Sequence, residues 1–287
     1  MIRGKSGIFL KAVIFLLLAG LVSTPLYGAE EENFSATLTD YDGEVAIQKP
    51  GEEEWLSVEK DMPLEERDRI KTGPFSFAEI LIDDGSLVTI EQNSEITISE
   101  LSADFETKKI KSSIFIAVGR LISNITAFMH RESRFSVHTP TLVAGVRGTE
   151  FVVETTDSEE TDVGVFEGQV TVGGIDSEGK LIEGSEVLVP AGRQTTVQKF
   201  KRPLPPFAHK KNMMLHKERV LLLRKKAIER RRDLPKIIDR RPKVHKETLI
   251  KWNRQKQEIK KIKQERIKRE KNKKRIQRKK PRPPRRR

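Results

Sequence analysis

The chain has 287 residues, with 55 Lys and Arg against 42 Asp and Glu, and no cysteine. The missing cysteine excludes disulfides, thiolate metal sites, a cysteine nucleophile and an acylated N-terminal cysteine. The charge is split: residues 201–287 hold 37 Lys and Arg against 8 Asp and Glu, and residues 1–200 hold 18 against 34, so an acidic body carries a strongly basic tail.

Residues 1–29 read as a secretory signal. Arg3, Lys5 and Lys11 give the positive end, and Ala12 to Val22 is an unbroken run of apolar and small residues. Pro25 ends it, and Gly28-Ala29 offers small residues for cleavage. The run is shorter than the roughly 20 residues of a comfortable membrane span. Export is the expectation, to the periplasm or outer envelope surface of a bacterium; cleavage and retention as an anchor both stay open.

From residue 30 to 200 the pattern is β, in short runs separated by turn signals. Val45-Ala46-Ile47 precedes a Pro50-Gly51 turn. Ala78, Ile80 and Ile82 alternate with Glu79 and Leu81, and Asp84-Gly85 supplies a tight hairpin. Val88 and Ile90 return, and Ile96 and Ile98 alternate with Thr97 and Ser99. Residues 101–113 are polar, which predicts a loop with room for one helical turn. Ile114 to Val118 resumes the strands, Gly119-Arg120 interrupts, and Leu121-Ile122 continues. Between Thr139 and Glu154 the residues predict a strand, a tight reversal around Gly145 and Gly148, and a second strand led by Phe151. Hairpin signals recur at Glu167-Gly168 and Ala191-Gly192. With no long amphipathic helix between the strands, the fold class is all-β: sandwich, barrel and β-solenoid remain open.

After Phe200 the character changes. Pro203, Pro205 and Pro206 make a stiff connector. A helix is predicted over 208–232 and a second, highly charged one over 243–280, with Leu234-Pro235 and Arg241-Pro242 interrupting. Trp252, Ile259, Ile262 and Ile267 give the second only a thin apolar seam. Residues 281–287 are expected to be extended and disordered.

An ordered series of features resembles the FecR-domain family over about residues 40–198. It comprises Gly43-Glu-Val, Trp55-Leu56, Ile70-Lys71-Thr72-Gly73, Asp84-Gly85-Ser86, Val118-Gly119-Arg120-Leu121, Phe135 to Pro140, Val146-Arg147-Gly148-Thr149-Glu150-Phe151, Val165-Phe166-Glu167-Gly168 and Ala191-Gly192. The resemblance implies an all-β, non-catalytic domain exposed to the periplasm or envelope. Founding members relay a signal from an outer-membrane transporter to a cytoplasmic sigma factor. Here a basic tail stands where their transporter-contacting module would be, so the receiving or binding part of the role is what is expected to carry over.

The motif residues Gly145, Arg147, Gly148, Thr149 and Phe151 are read as structural, with Arg147 as a strut to Glu150 or Glu167. His138 lacks histidine partners at ligand spacing, and Asp83-Asp84-Gly85 lacks the further oxygens of a calcium loop. No catalytic motif, phosphate loop or cofactor fingerprint is present. The expectation is an exported non-enzymatic binding or scaffold protein without metal or cofactor. Its β domain would contact a protein or ligand. Its tail would contact anionic lipid, lipopolysaccharide or wall polymer, or remain solvated, or lie against the acidic β domain of its own chain or of a neighbouring copy. Trp252 and Phe207 are the tail's candidates for base stacking, and compartment argues against nucleic acid. The alternative function is an envelope signal-transduction component acting with a membrane regulator.

Overall fold

The computed structural model describes residues 35–104, 107, 109–127, 133–156 and 159–279; the signal segment 1–29 and the final residues 281–287 lie outside them. Seventeen strands follow in chain order. They are β1 (Ala36–Asp42), β2 (Val45–Gln48), β3 (Leu56–Ser57), β4 (Met62–Leu64), β5 (Arg69–Thr72) and β6 (Phe77–Ile82). Next come β7 (Leu87–Ile90), β8 (Glu95–Asp104), β9 (Lys109–Asn124), β10 (Arg134–His138), β11 (Leu142–Val146) and β12 (Glu150–Thr156). The series ends with β13 (Glu160–Glu167), β14 (Gln169–Gly174), β15 (Val187–Pro190), β16 (Arg193–Gln198) and β17 (Phe207–Ala208). A short helix α1 (Lys211–Met214) then leads into α2 (Lys217–Lys279).

The strands form two layers. Sheet A runs β4-β1-β6-β7-β9-β12-β13-β16-β17. Sheet B runs β3-β2-β5-β8-β9-β10-β11-β14-β15. Among the described strands only the β9–β10 pair is parallel; the other neighbours are antiparallel. One core of alternating inward residues fills the space between the layers, from Leu38, Ile80 and Phe151 on one side to Ile70, Ile116 and Phe135 on the other. The chain is a β sandwich.

Strand β9 belongs to both layers. Its first part pairs with β8 and β10, and Gly119 to Asn124 pair with β7 or β12. The expected interruption at Gly119-Arg120 is therefore a change of sheet inside one strand. Gly119 has φ +104°, and a Cβ there would come within 2.1 Å of Ser94 Oγ; only glycine lets the strand cross here.

Two sequence expectations are corrected. Residues 101–104 and 109–113 are strand rather than loop. β8 and β9 continue as a ladder to the Asp104–Lys109 pair, because backbone pairing supplies the hydrogen bonds whether or not the side chains are apolar. The two tail helices are also one: α2 runs 63 residues through Pro235 and Pro242, about 95 Å at 1.5 Å per residue. Both prolines are exposed. A proline frees the carbonyl four residues before it, and on the solvent side water can satisfy that carbonyl.

Candidate functional site

The Val146-to-Phe151 motif turns the chain from sheet B to sheet A. Gly148 takes φ +59° with Ala127 packed over it. The Thr149 hydroxyl donates to the Arg147 and Gln169 carbonyls at 3.1 and 3.0 Å, and Phe151 is fully buried in the core. Gly145 lies outside this corner, inside β11 opposite Ser136 and Thr171. Arg147 is exposed at the corner. Glu150 and Glu167 are held by Arg224 of α2: Nε donates to Glu150 Oε1 at 2.6 Å, and Nη2 to Glu167 Oε2 at 2.5 Å.

Arg224 belongs to a larger surface. On the outward side of sheet A, Leu81 faces Leu87 across β6 and β7, and Ile122 faces Val152 across β9 and β12. These four side chains are buried under Met213, Val220, Leu223, Ala227 and Ile237. With half-buried Leu234 between Ala227 and Ile237, the stripe continues along the helix to Val244, Thr248 and Trp252, at intervals of three, four or seven residues, which is one face of a helix. Met213 fits because β13 carries Gly164, whose absent Cβ would lie 2.4 Å from the methionine sulfur. Beyond sheet A the helix covers the β3–β4 edge of the sandwich, where Trp252 Nε1 donates to the Ser57 carbonyl at 2.8 Å and Gln255 Oε1 accepts from Ser57 N at 3.1 Å. An edge strand that would otherwise offer free backbone groups is closed.

Charge runs alongside this stripe. Glu79, fully buried in β6, accepts from Lys226 Nζ and Arg230 Nε, both at 2.9 Å, and from the Thr39 hydroxyl at 2.9 Å. Arg219 pairs with Glu91. Further on, Lys251 reaches Glu59, Lys256 reaches Glu52 and Lys263 reaches Glu54, each at 2.8 Å. The carboxylates that make the β domain acidic thus include the sites that hold the basic helix.

The Asp83-Asp84-Gly85 hairpin is gripped twice. Arg241, itself buried, pairs with Asp83 and donates through Nε to Thr37 Oγ1 at 2.6 Å. Arg231 Nε donates to the Gly85 carbonyl at 2.8 Å. Burial pushes the Asp84 carboxyl up to about 6, against the opposing hydrogen bond from Ser86. Near the helix start, His216 and Arg120 beside Glu154 hold its carboxyl down at about 2.

Two other features flank the helix or face away from it. A groove of about 470 Å³ opens between sheet A and the first turns of α2, lined by Phe75, Phe77, Ile122, Leu222, Arg219 and Lys226. Phe75 at its lip is 91% exposed in a left-handed backbone conformation. On sheet B, His138 lies beside Ser136, its imidazole held below the usual range by burial. Among the described residues no group of three His, Cys, Asp or Glu could hold a metal ion, and no helix is long and apolar enough to cross a membrane. Trp252 is buried under the sandwich edge and unavailable for stacking, while Phe207 sits in β17 beside Lys210.

The signal for this docking surface is present in the sequence. Leu81, Leu87, Ile122 and Val152 fall on the nominally polar side of their strands, where a solvated sheet face would carry hydrophilic residues. The matching stripe from Val220 to Trp252 passes through both prolines, so reading the prolines as stops conceals it.

Residues 68–171 match the family described as FecR protein, the family that the sequence motifs resemble. No curated protein matches the chain. Two crystal structures of a candidate anti-sigma factor from Parabacteroides distasonis ATCC 8503 are similar, each at 17% identity and a TM-score of 0.40. The alignments cover 51% of this chain and 62% of that one, less than two thirds of its length.

Proposed function

We propose that this is an exported, non-catalytic binding or scaffold protein of the bacterial envelope, in which a FecR-type β sandwich contacts a protein or ligand and a basic helical arm contacts anionic envelope material. The single observation that carries the reading is the course of α2. It is packed against the sandwich to Trp252, stays tied to it by ion pairs as far as Lys263, and then continues past it with the side chains of residues 264–273 exposed. That construction makes a rigid arm on a folded body. A cluster of like charges on such an arm gathers polyanions by releasing their counterions.

The test uses the intact mature chain, since removing the whole tail would uncover sheet A. Envelope fractions are washed at rising salt. The reading expects release of the protein over a narrow range of moderate ionic strength; retention indifferent to salt, or no retention at low salt, contradicts it. A second reading is favoured by the FecR match itself: the sandwich passes envelope state to a membrane regulator. Cross-linking in cells that captures one membrane protein on the sandwich would support it, and capture of lipid or polymer alone would count against it.

A further inference from the structure

Within the tail, Lys263 separates two stretches of sequence of nearly equal net charge. Residues 217–263 carry 19 Lys and Arg against 6 Asp and Glu, and residues 264–287 carry 14 against 2. In the first stretch, nine of the 19 cations, Arg219, Arg224, Lys226, Arg230, Arg240, Arg241, Lys251, Lys256 and Lys263, are paired with carboxylates of the β domain. In the second, every residue from 264 to 273 is exposed. Among the described residues there, Arg269 pairs with Glu265 at 4.0 Å along the helix itself, with side chains 80% and 67% exposed. Such an exposed pair neutralises little.

The second stretch also lacks a face. At about 100° per residue, Arg266, Lys268, Arg269, Lys271 and Lys273 point to all sides of the helix. Ile262 and Ile267, 56% and 52% exposed, lie about 140° apart and do not form a stripe. A helix that lies in a bilayer surface needs an apolar side to bury and a polar side to leave in water. This one presents cations around its circumference and projects from the body, an arrangement that a flat surface would engage on one side only. A flexible chain of anions can wrap it and pair with every side.

We infer that the overhang beginning at residue 264 is the protein's principal polyanion-binding element, that the docked stretch, about half of whose cations are already held by β-domain carboxylates, contributes less, and that the ligand is a linear anionic polymer rather than a bilayer. The shared ligand chemistry is a repeating phosphate or carboxylate. This inference rests on the tether reading above and narrows it to one element and one ligand class.

The test compares the full mature chain with a chain ending at Lys263 and with the full-length variant R266Q/K268Q/R269Q/K271Q/K273Q. Three probes are used at equal concentration of charge: long-chain inorganic polyphosphate, polygalacturonate, and vesicles of equimolar phosphatidylcholine and phosphatidylglycerol. The expected result is that the full chain binds one or both polymers more tightly than vesicles. The shortened chain should bind them about 100-fold more weakly at low salt with a flatter salt dependence, the glutamine variant should fall between, and all three should melt at the same temperature. Preference for polyphosphate assigns a phosphate polymer and preference for polygalacturonate a carboxylate polymer. Equal polymer binding by the full and shortened chains overturns the division at Lys263. Tighter binding to vesicles than to either polymer overturns the ligand class. If the full chain binds none of the three probes, the tether reading falls with the inference.

Discussion

The docked stretch of α2 and its overhang are made of the same residues and have different fates. Each is a Lys- and Arg-rich stretch of helix, with 19 Lys and Arg against 6 Asp and Glu in residues 217–263 and 9 against 2 in residues 264–279. The docked stretch has an apolar stripe that meets Leu81, Leu87, Ile122 and Val152, and cations placed opposite Glu79, Glu150 and Asp83. The overhang has neither. Charge count thus says little about what a basic helix does; the spacing of the apolar residues between the charges decides whether it becomes part of the fold.

The most severe way to break the comparison is to remove the docked stretch. A chain ending at Lys210 would expose the outward face of sheet A and the β3–β4 edge. Burial of each large apolar side chain stabilises by about 1.5–3 kcal/mol, and several are lost at once from a total margin of typically about 5–15 kcal/mol. The expected outcome is loss of a cooperative melt, strong dye binding and aggregation, read by calorimetry and light scattering. A soluble chain with an unchanged melt would show that the helix rests on the sandwich without supporting it.

A smaller break leaves the helix in place and removes its charges at one point. In K226M/R230M, Glu79 stays buried without its two cations, and an uncompensated buried charge costs about 3–5 kcal/mol. Urea unfolding should show a loss of that size. Adding E79L to the pair should recover most of it, because an apolar replacement of the whole cluster restores a satisfied interior. If the triple variant is no more stable than the double, the loss came from packing rather than from the stranded carboxylate.

These contacts also show which parts of the structure could be read in advance. The meander, the Asp84-Gly85 hairpin and the all-β class follow from period-two patterning and turn residues, which are local. The choice of a sandwich did not follow, because it depends on which strands pair across the layers, and β9 belongs to both. The motif around Arg147 was legible as a corner between strands, but the hold of Arg224 on Glu150 and Glu167, 74 and 57 residues away in sequence, was not. Pro235 and Pro242 read as stops because their local cost in a helix interior is about 3 kcal/mol; tertiary contacts on both sides of them, through Arg231, Ile237, Arg241 and Val244, outweigh that cost.

Proton binding sharpens the comparison at the docked hairpin. The Asp84 carboxyl titrates near 6 in the folded chain against 3.8 as a free group. The folded state therefore holds its proton more tightly, so Asp84 is favourable below pH 3.8 and its contribution is lost as pH rises through about 6. Above that, the buried carboxylate costs up to about 3 kcal/mol. D84N keeps an oxygen to accept the Ser86 amide proton, now at 2.7 Å, and has nothing to ionise. It should stabilise the chain by about 1–3 kcal/mol at pH 8 and leave it nearly unchanged at pH 4. Equal effects at both values would mean that Arg231 already compensates the charge. Glu154 behaves oppositely: held near 2, its stabilisation is present above the ordinary carboxylate range and lost only as pH falls toward 2.

The smallest expected effect on stability comes from the largest change in charge. Ending the chain at Lys263 removes 14 Lys and Arg with 2 Asp and Glu and lowers the formal charge of the full sequence from +13 to about +1. If total charge governed the fold, relief of so much self-repulsion would raise the melting point. The geometry argues otherwise, since the overhang's described cations are in water, where screening limits their action to roughly a Debye length of 10 Å, and Lys263 keeps its pairing to Glu54. The unfolding free energy should change by less than about 0.5 kcal/mol, measured by urea titration at 0.15 M salt. K226M/R230M alters two cations and should cost several times more. A shift of several kcal/mol on shortening would place the overhang within the fold, and the contrast between the two stretches of one helix would collapse.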